Sequence, residues 1–598
     1  MNQTLPTRLE SIERLTWDLS SLYANEEAFE TAFKEVETLV TQIAHHEATL
    51  TQSAQHLFLA LEARNTLLMK IEAVYTYAHL RNDQDTSNAF YQGLISRAQS
   101  LYSQVAAALS FMETSLLKAD EAILRTYLKD ENLRLYAHEF DLMFKRRAHI
   151  LSDKEEKLLA SASDILSSAS HTFSVLNNAD LTFKALTDAQ GESLPLSHGR
   201  YGVYLESKDR SLRQQAFESM YASYQQFANT FAMTLSQSIK LHNFNASIRG
   251  FSSAREAALF ANHIPESVYD ALVEAVHNQL PLLHQYVSLR KKALNLDDLR
   301  MYDLYVPIVS DLDLEYTYEN AQNILLDAFS VLGEDYVAGI KKAFNEHWID
   351  VMENKGKRSG AYSSGCYTSN PYILMNWQDN LDNLYTLAHE LGHSMHSYYS
   401  RLNQAYIYGD YSIFVAEVAS TTNENLLTAY LLKKTTDPQV RAYLINHYLD
   451  GVKGTVYRQT QFAEFEHMIH ALDQAGEALT PEVLNKKYFE LNQTYYGPEM
   501  TYDEAIQYEW ARIPHFYYNY YVYQYATGFS AASALSAKIL KDGQGAVDAY
   551  LSFLKTGSSL TPIEALKVAG VDMSTNQAVK DALELFKVRL NELSTLLA

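Results

Sequence analysis

Chain breakers are almost absent from the first third of the sequence. Before Gly191 the only glycine is Gly93, and before Pro195 the only proline is Pro6. Almost unbroken runs of this kind predict long helices and helical hairpins. Residues 181–205 change character. Leu181–Leu186, a turn at Asp188–Gly191 and Leu194–Tyr204 predict a small β-hairpin. A domain boundary is therefore placed there, between a helical domain over 1–190 and a larger one over 200–590. In the larger domain, strand-like pieces fall at Met301–Val306 and Tyr372–Trp377. Leu381, Leu384, Ala388, Leu391 and Met395 recur at spacings of three and four, which predicts an amphipathic helix. Gly392 sits inside that helix at a cost of about 1 kcal/mol relative to alanine. A glycine kept there predicts close packing of another element against that face. Residues 412–430 predict a second helix.

The first of these two helices contains His389-Glu390-Leu-Gly-His393. Residues four apart share a helix face, so both imidazoles can point at one metal ion. Glu390 is placed to act as general base on a metal-activated water. Three fixed residues are weak evidence, since a chain of this composition matches by chance about once in twenty. A third protein ligand is needed. The second helix offers Glu417 and Glu424, seven apart and so on one face. Glu417 lies among Phe414, Val415, Ala416 and Val418, where a bare carboxylate is costly to bury. It is the ligand candidate, with Glu424 expected to accept the other ring N–H of a ligand histidine. His396 is expected either to pack or to support a ligand from behind. His396 and Tyr399 stand where the metzincin pattern has glycine and histidine, which excludes that class.

Further on, six tyrosines in nine residues (517, 518, 520, 521, 523 and 525) follow His515. Most are expected to be core. Buried hydroxyls need partners, so two or three at most are expected to face a cleft. His515 is the expected donor to a tetrahedral oxyanion. The segment 356–367 carries three glycines and predicts a mobile loop, and the apolar run after it predicts a short strand. An edge strand beside a catalytic helix can hold an extended peptide by main-chain pairing, which marks Gly360 and Asn376 as substrate-binding candidates. A phosphate-loop reading fails on spacing.

With 598 residues, 47% hydrophobic and 20% charged, the composition is that of a water-soluble globular protein. The net charge of −23 argues against nucleic acid or an anionic membrane as partner. One cysteine, Cys366, precludes an intramolecular disulfide and fits a reducing compartment. Residues 1–20 have no apolar core of a signal peptide, and no stretch is long enough for a membrane span, so a cytoplasmic location is expected. The oligomeric state is not legible.

Several blocks together resemble the M3 metallopeptidases, in their oligoendopeptidase F branch. They are Trp17–Tyr23, Gly356–Tyr362, Ala388–His396, Phe414–Thr421, Tyr457–Thr460 and Trp510–Phe516. The resemblance implies a mainly α, two-lobed zincin-like fold with a deep substrate channel and a small β element beside the active-site helix. It implies one Zn2+ per chain on His389, His393 and Glu417, with Glu390 as base and internal cleavage of short peptides. His515 carries over as a substrate and oxyanion contact. The family's tyrosines do not carry over by spacing; Tyr525 is the expected oxyanion donor beside His515, and Tyr518 and Tyr523 are expected at the substrate. Three alternatives stay open: a zinc exopeptidase, a non-catalytic zinc-stabilised peptide-binding protein, and a helical scaffold with an accidental motif. Cobalt or manganese in place of zinc also stays open, because ligand geometry does not fix the metal uniquely.

Overall fold

The computed structural model describes residues 5–309, 312 and 314–598. It is mainly helical, with three small sheets. None of the helices among the described residues is long and apolar enough to cross a membrane.

The chain forms two compact units, each assembled from three segments. The first comprises Met1–Ala148, Leu314–Leu427 and Leu535–Gly570, and the second His149–Asp313, Thr428–Ala534 and Val571–Ala598. Compactness thus divides the chain differently from the hairpin boundary. The hairpin itself pairs Leu186–Thr187 with Ser193–Leu194, antiparallel, and Gly191 takes the positive φ of the turn.

In the first unit, the breaker-free stretch forms the long helices Ala54–Gln84 and Ala89–Lys118. Each is capped by a side chain that accepts from the first turn, Ser53 for one and Asn88 for the other. Leu57, Ile71, Tyr77, Leu94 and Leu101 form one core with Trp17, and that core also takes in Tyr372 and Leu374. This explains the sheet beside it. Strand Tyr372–Leu374 is central, parallel to Ile349–Asp350 and antiparallel to Tyr362–Ser364. The edge strands are therefore Ile349–Asp350 and Tyr362–Ser364, and Tyr372–Leu374, expected at an edge, is buried throughout because it is needed by the core.

The glycine segment is also strapped down rather than loose. Lys357 is buried against Asp350 at 2.6 Å, and Arg8 pairs with the same carboxylate. Arg358 pairs with Asp83 at 3.1 Å, and Thr86 N–H donates to Gly356 O. Lys357 and Arg358 thus tie the segment expected to be mobile to the strand Ile349–Asp350 and the helix Ala54–Gln84.

The second unit is also helical. Its parallel two-stranded pairing joins Leu299–Arg300 to Met500–Thr501, and Met301–Asp303, expected as strand, is a 3-10 turn. Asp303 accounts for that turn: its carboxylate accepts from Arg300 N–H and from both Arg210 and Arg213. Helix Arg458–Gln474 carries Arg458, whose guanidinium meets the buried Glu509 at 2.6 Å and anchors the 3-10 helix Glu504–Arg512.

Candidate active site

The histidine pair lies on helix Leu381–Asn403. Asn380 caps its start by accepting from Asn383 N–H, and Asp382 in the first turn complements the helix dipole. Leu384, Leu387, Ala388, Leu391 and Met395 are fully buried. Helix Ile413–Lys434 crosses that face. Gly392 is the closest approach: a Cβ there would lie 2.5 Å from Ser420 Cα and 2.7 Å from Ala419 O. The packing inferred from a helix-interior glycine is thus backbone against backbone. Asn423 reinforces it, since its amide donates to Ala388 O at 3.1 Å and its oxygen accepts from Tyr336. No sequence pattern marks Asn423.

This crossing brings three ligand-type atoms together. His389 Nε2 lies 3.1 Å from His393 Nε2, and Glu417 Oε2 lies 3.2 Å from the first and 3.4 Å from the second. A tetrahedral ion with bonds of about 2.0–2.2 Å holds its ligand atoms about 3.3–3.6 Å apart, within a few tenths of an ångström of these separations. The donors fit such an ion, and two imidazole nitrogens facing one carboxylate oxygen are the chemistry of a divalent site. Glu424 Oε1 lies 2.5 Å from His389 Nδ1, which turns the other nitrogen toward the cluster.

The electrostatics agree. Burial alone would lower the His389 imidazole, but its contacts with Glu417 and Glu424 push it up to about 10. Glu417 is held well below the usual carboxylate range, against its burial, by the two imidazoles. The pair of acids therefore calls for positive charge at this point.

Glu390 is 6% exposed, and its Oε2 has no hydrogen-bond partner among the described residues. Burial pushes its carboxyl above the ordinary value, against the pull of His389 and His393. The edge strand passes alongside, with Ser363 Oγ 2.8 Å from Ser394 Oγ on the histidine helix. His396 is a packing residue. It is fully buried, stacks on Tyr411 with centroids 3.6 Å apart, and is pushed down to about 3 by burial.

Gly360 has φ +83° and open space around it. Asn376 donates from its amide to Gly360 O at 2.8 Å and to Arg358 O at 3.0 Å, so it fastens the glycine segment to the strand.

His515 belongs to the second unit, on the 3-10 turn Pro514–Tyr517. The tyrosine run after it is not one helix. Asn519 and Tyr520 both take positive φ, at 50° and 58°, and a regular helix begins only at Tyr523. Tyr525 Oη lies 3.4 Å from His515 Nε2, and Tyr521 and Tyr518 place their rings beside the imidazole. Tyr518 is 58% exposed. Tyr523 is 1% exposed and packs on Tyr269, so the substrate contact expected of it is replaced by a core role. The left-handed pair at Asn519 and Tyr520 means that no single helical spacing runs from His515 to Tyr523.

A family model described as peptidase family M3 matches residues 203–585, and one described as oligopeptidase F matches residues 115–183. The chain belongs to peptidase family M3. It is 50% identical over 594 residues to oligopeptidase PepF of Bacillus subtilis, covering 99% of this chain and 89% of that protein. It is 47% identical to the group B oligopeptidase PepB of Streptococcus agalactiae, covering 98% of each. The crystal structure of oligoendopeptidase-F from Enterococcus faecium superposes with a TM-score of 0.74 at 46% identity, covering 96% of this chain and 99% of that one. These likenesses place the chain in the oligoendopeptidase F branch of family M3, as a metalloendopeptidase acting on peptides. Metal dependence comes with the family, and the His389, His393 and Glu417 group is where a divalent ion fits.

Proposed function

We propose that this M3 peptidase hydrolyses internal bonds of short oligopeptides at a single zinc ion held by His389, His393 and Glu417, with Glu390 as general base. What carries the reading is the convergence of two Nε2 atoms and one Oε2 atom at 3.1–3.4 Å, with the Glu390 carboxylate one residue along the same helix.

When bound, such an ion lowers the pKa of its water towards about 7 and polarises the scissile carbonyl. Glu390 then takes the water proton and returns it to the leaving amine. Its burial suits this role, since a carboxylate raised above its ordinary value is a stronger base. Glu424 orients His389 through Nδ1. The edge strand Tyr362–Ser364 offers main-chain groups to an extended peptide, with Gly360 and Asn376 setting the segment before it. His515, kept neutral because burial lowers its imidazole, donates with Tyr525 to the substrate oxygen, and Tyr518 contributes contact area.

The test is an end-blocked, internally quenched oligopeptide with and without chelator, its products read by mass spectrometry. Internal cleavage that stops with chelator and returns with zinc is expected. Cleavage only of peptides with a free terminus would replace this reading by an exopeptidase, and zinc binding without turnover by a binding protein. We also assign the chain to the cytoplasm. The support is a single cysteine, Cys366, buried and reduced. Fractionation of cells that make the protein would overturn this by finding it outside the membrane.

A further inference from the structure

Helix Arg458–Gln474 is the frame on which the His515 segment rests. Phe462 and Phe465 pack on Phe516, with ring centroids 5.7 and 5.2 Å apart, next to His515. One turn further on, the frame meets Tyr520. His470 packs against its ring at 4.7 Å, and His467 Nδ1 lies 3.0 Å from its hydroxyl. Between these contacts sits Glu466, with no exposure at all, whose Oε1 accepts from Tyr520 N–H at 2.6 Å.

That bond is where the backbone is least comfortable. Asn519 and Tyr520 occupy the left-handed region in succession, at φ 50° and 58°. Asparagine tolerates this region, but a tyrosine there is an outlier that persists only when its surroundings over-determine it. The double left-handed turn reverses the chain between His515 and Tyr525, and it is what gathers Tyr518, Tyr521 and Tyr525 around one imidazole. Glu466 is otherwise unexplained. It has no cationic partner, and its Oε2 has no hydrogen-bond partner among the described residues.

We propose that Glu466 is a positioning residue for peptide hydrolysis: by accepting from Tyr520 N–H it holds the Asn519–Tyr520 turn, and through it the His515 and Tyr525 donors. This rests on the reading that His515 acts on the substrate. Burial pushes the Glu466 carboxyl up to about 8, so at neutral pH it is a neutral acceptor. What matters is then reach rather than charge, and two variants separate the two. Glu466→Gln keeps the acceptor at full length and removes the titration. Glu466→Asp keeps the acid but withdraws it by one methylene.

The experiment measures kcat, KM and metal content for Glu466→Gln, Glu466→Asp, His515→Ala and the Asp–Ala double variant in the full chain. Glu466→Gln is expected within about twofold of wild type. Glu466→Asp is expected to lower kcat on the order of tenfold with KM and bound metal unchanged, since small displacements of catalytic groups are expensive. In the His515→Ala background, Glu466→Asp should cost less than about twofold more, because residues acting as one unit are not additive. Full kcat in Glu466→Asp, equal loss in Glu466→Gln, or multiplicative losses in the double variant would overturn the proposal. Full kcat in His515→Ala would instead overturn the reading of His515, and the positioning role with it.

Discussion

Gly392→Ala isolates the packing that assembles the metal centre without touching a single ligand. The added Cβ would lie 2.5 Å from Ser420 Cα and 2.7 Å from both Ser420 N and Ala419 O. Carbon atoms in contact sit about 3.5–4.0 Å apart, so the two helices must separate by roughly 1 Å. The obstacle is backbone on the far side, with no side chain to rotate away. Ser420 is also tied to the ligand, since its Oγ lies 3.1 Å from Glu417 Oε2 and 3.0 Å from Glu417 O. A shift of that size greatly exceeds the roughly 0.2 Å tolerance of a metal–ligand distance. Metal affinity should fall by about 100-fold or more, and activity at limiting metal with it. Stability should fall less. Overpacking costs about 1–3 kcal/mol, and replacing a helical glycine returns about 1 kcal/mol. The assay is a competition titration against a chromophoric chelator, run beside a thermal melt. Gly451→Ala is the control, a helical glycine with nothing within 4 Å of its Cβ, and should leave affinity unchanged. Wild-type affinity in Gly392→Ala would refute the reasoning, because the crossing would then not be what places Glu417.

Glu390→Gln should keep its metal and lose about 100-fold to 10,000-fold in kcat, the range of a positioned general base; near-normal turnover with metal bound would remove that role. Glu417→Ala should lose the metal, whereas Glu424→Ala should weaken it only about 10–100-fold; equilibrium dialysis that reversed this order would exchange the two assignments. Asp350→Ala leaves Lys357 buried beside no carboxylate and should destabilise the protein by about 3–5 kcal/mol, read as a lower melting temperature. Glu466, whose carboxyl is near Tyr520, Tyr523 and Tyr269, has a folded-state pKa raised from 4.5 to about 8 by burial. Its folded form keeps a proton that the unfolded chain releases, so its stabilisation is complete below pH 4.5 and is lost as pH rises to about 8. Relative to Glu466→Gln, wild type should therefore lose up to about 5 kcal/mol over that window, and parallel melting profiles for the two would contradict it.

The cluster of His389, His393 and Glu417 was legible because its information is local. Two histidines four apart, a glycine inside an apolar-faced helix and two acids seven apart each state a helix face, and two faces with complementary chemistry imply a crossing. Gly392 even announced the contact, though not its partner. The same logic failed in the tyrosine run after His515. Sequence spacing assigns faces only within one regular element, and the left-handed pair Asn519–Tyr520 interrupts this one without a glycine to signal it. No spacing therefore separated the buried Tyr523 from Tyr518 and Tyr525.

The residues that escaped sequence reading are those whose meaning lies in a distant partner. Lys357 and Arg358 look like solvated loop charges until Asp350 and Asp83 are seen beside them. Strand Tyr372–Leu374 looks like an edge until Ile349–Asp350 and Tyr362–Ser364 flank it. Glu466 looks like one more helix acid, yet it is fully buried and holds the turn that follows His515. In each case the partner belongs to another element of the same unit, and for Arg358 and Asp83 to another of the three segments that build it. Long-range assembly therefore places the supporting groups, while local periodicity places the ligands. A variant series confined to His389, Glu390, His393 and Glu417 would sample only the proposed ligands and base, and the costliest silent failures are expected at Gly392, Asp350 and Glu466.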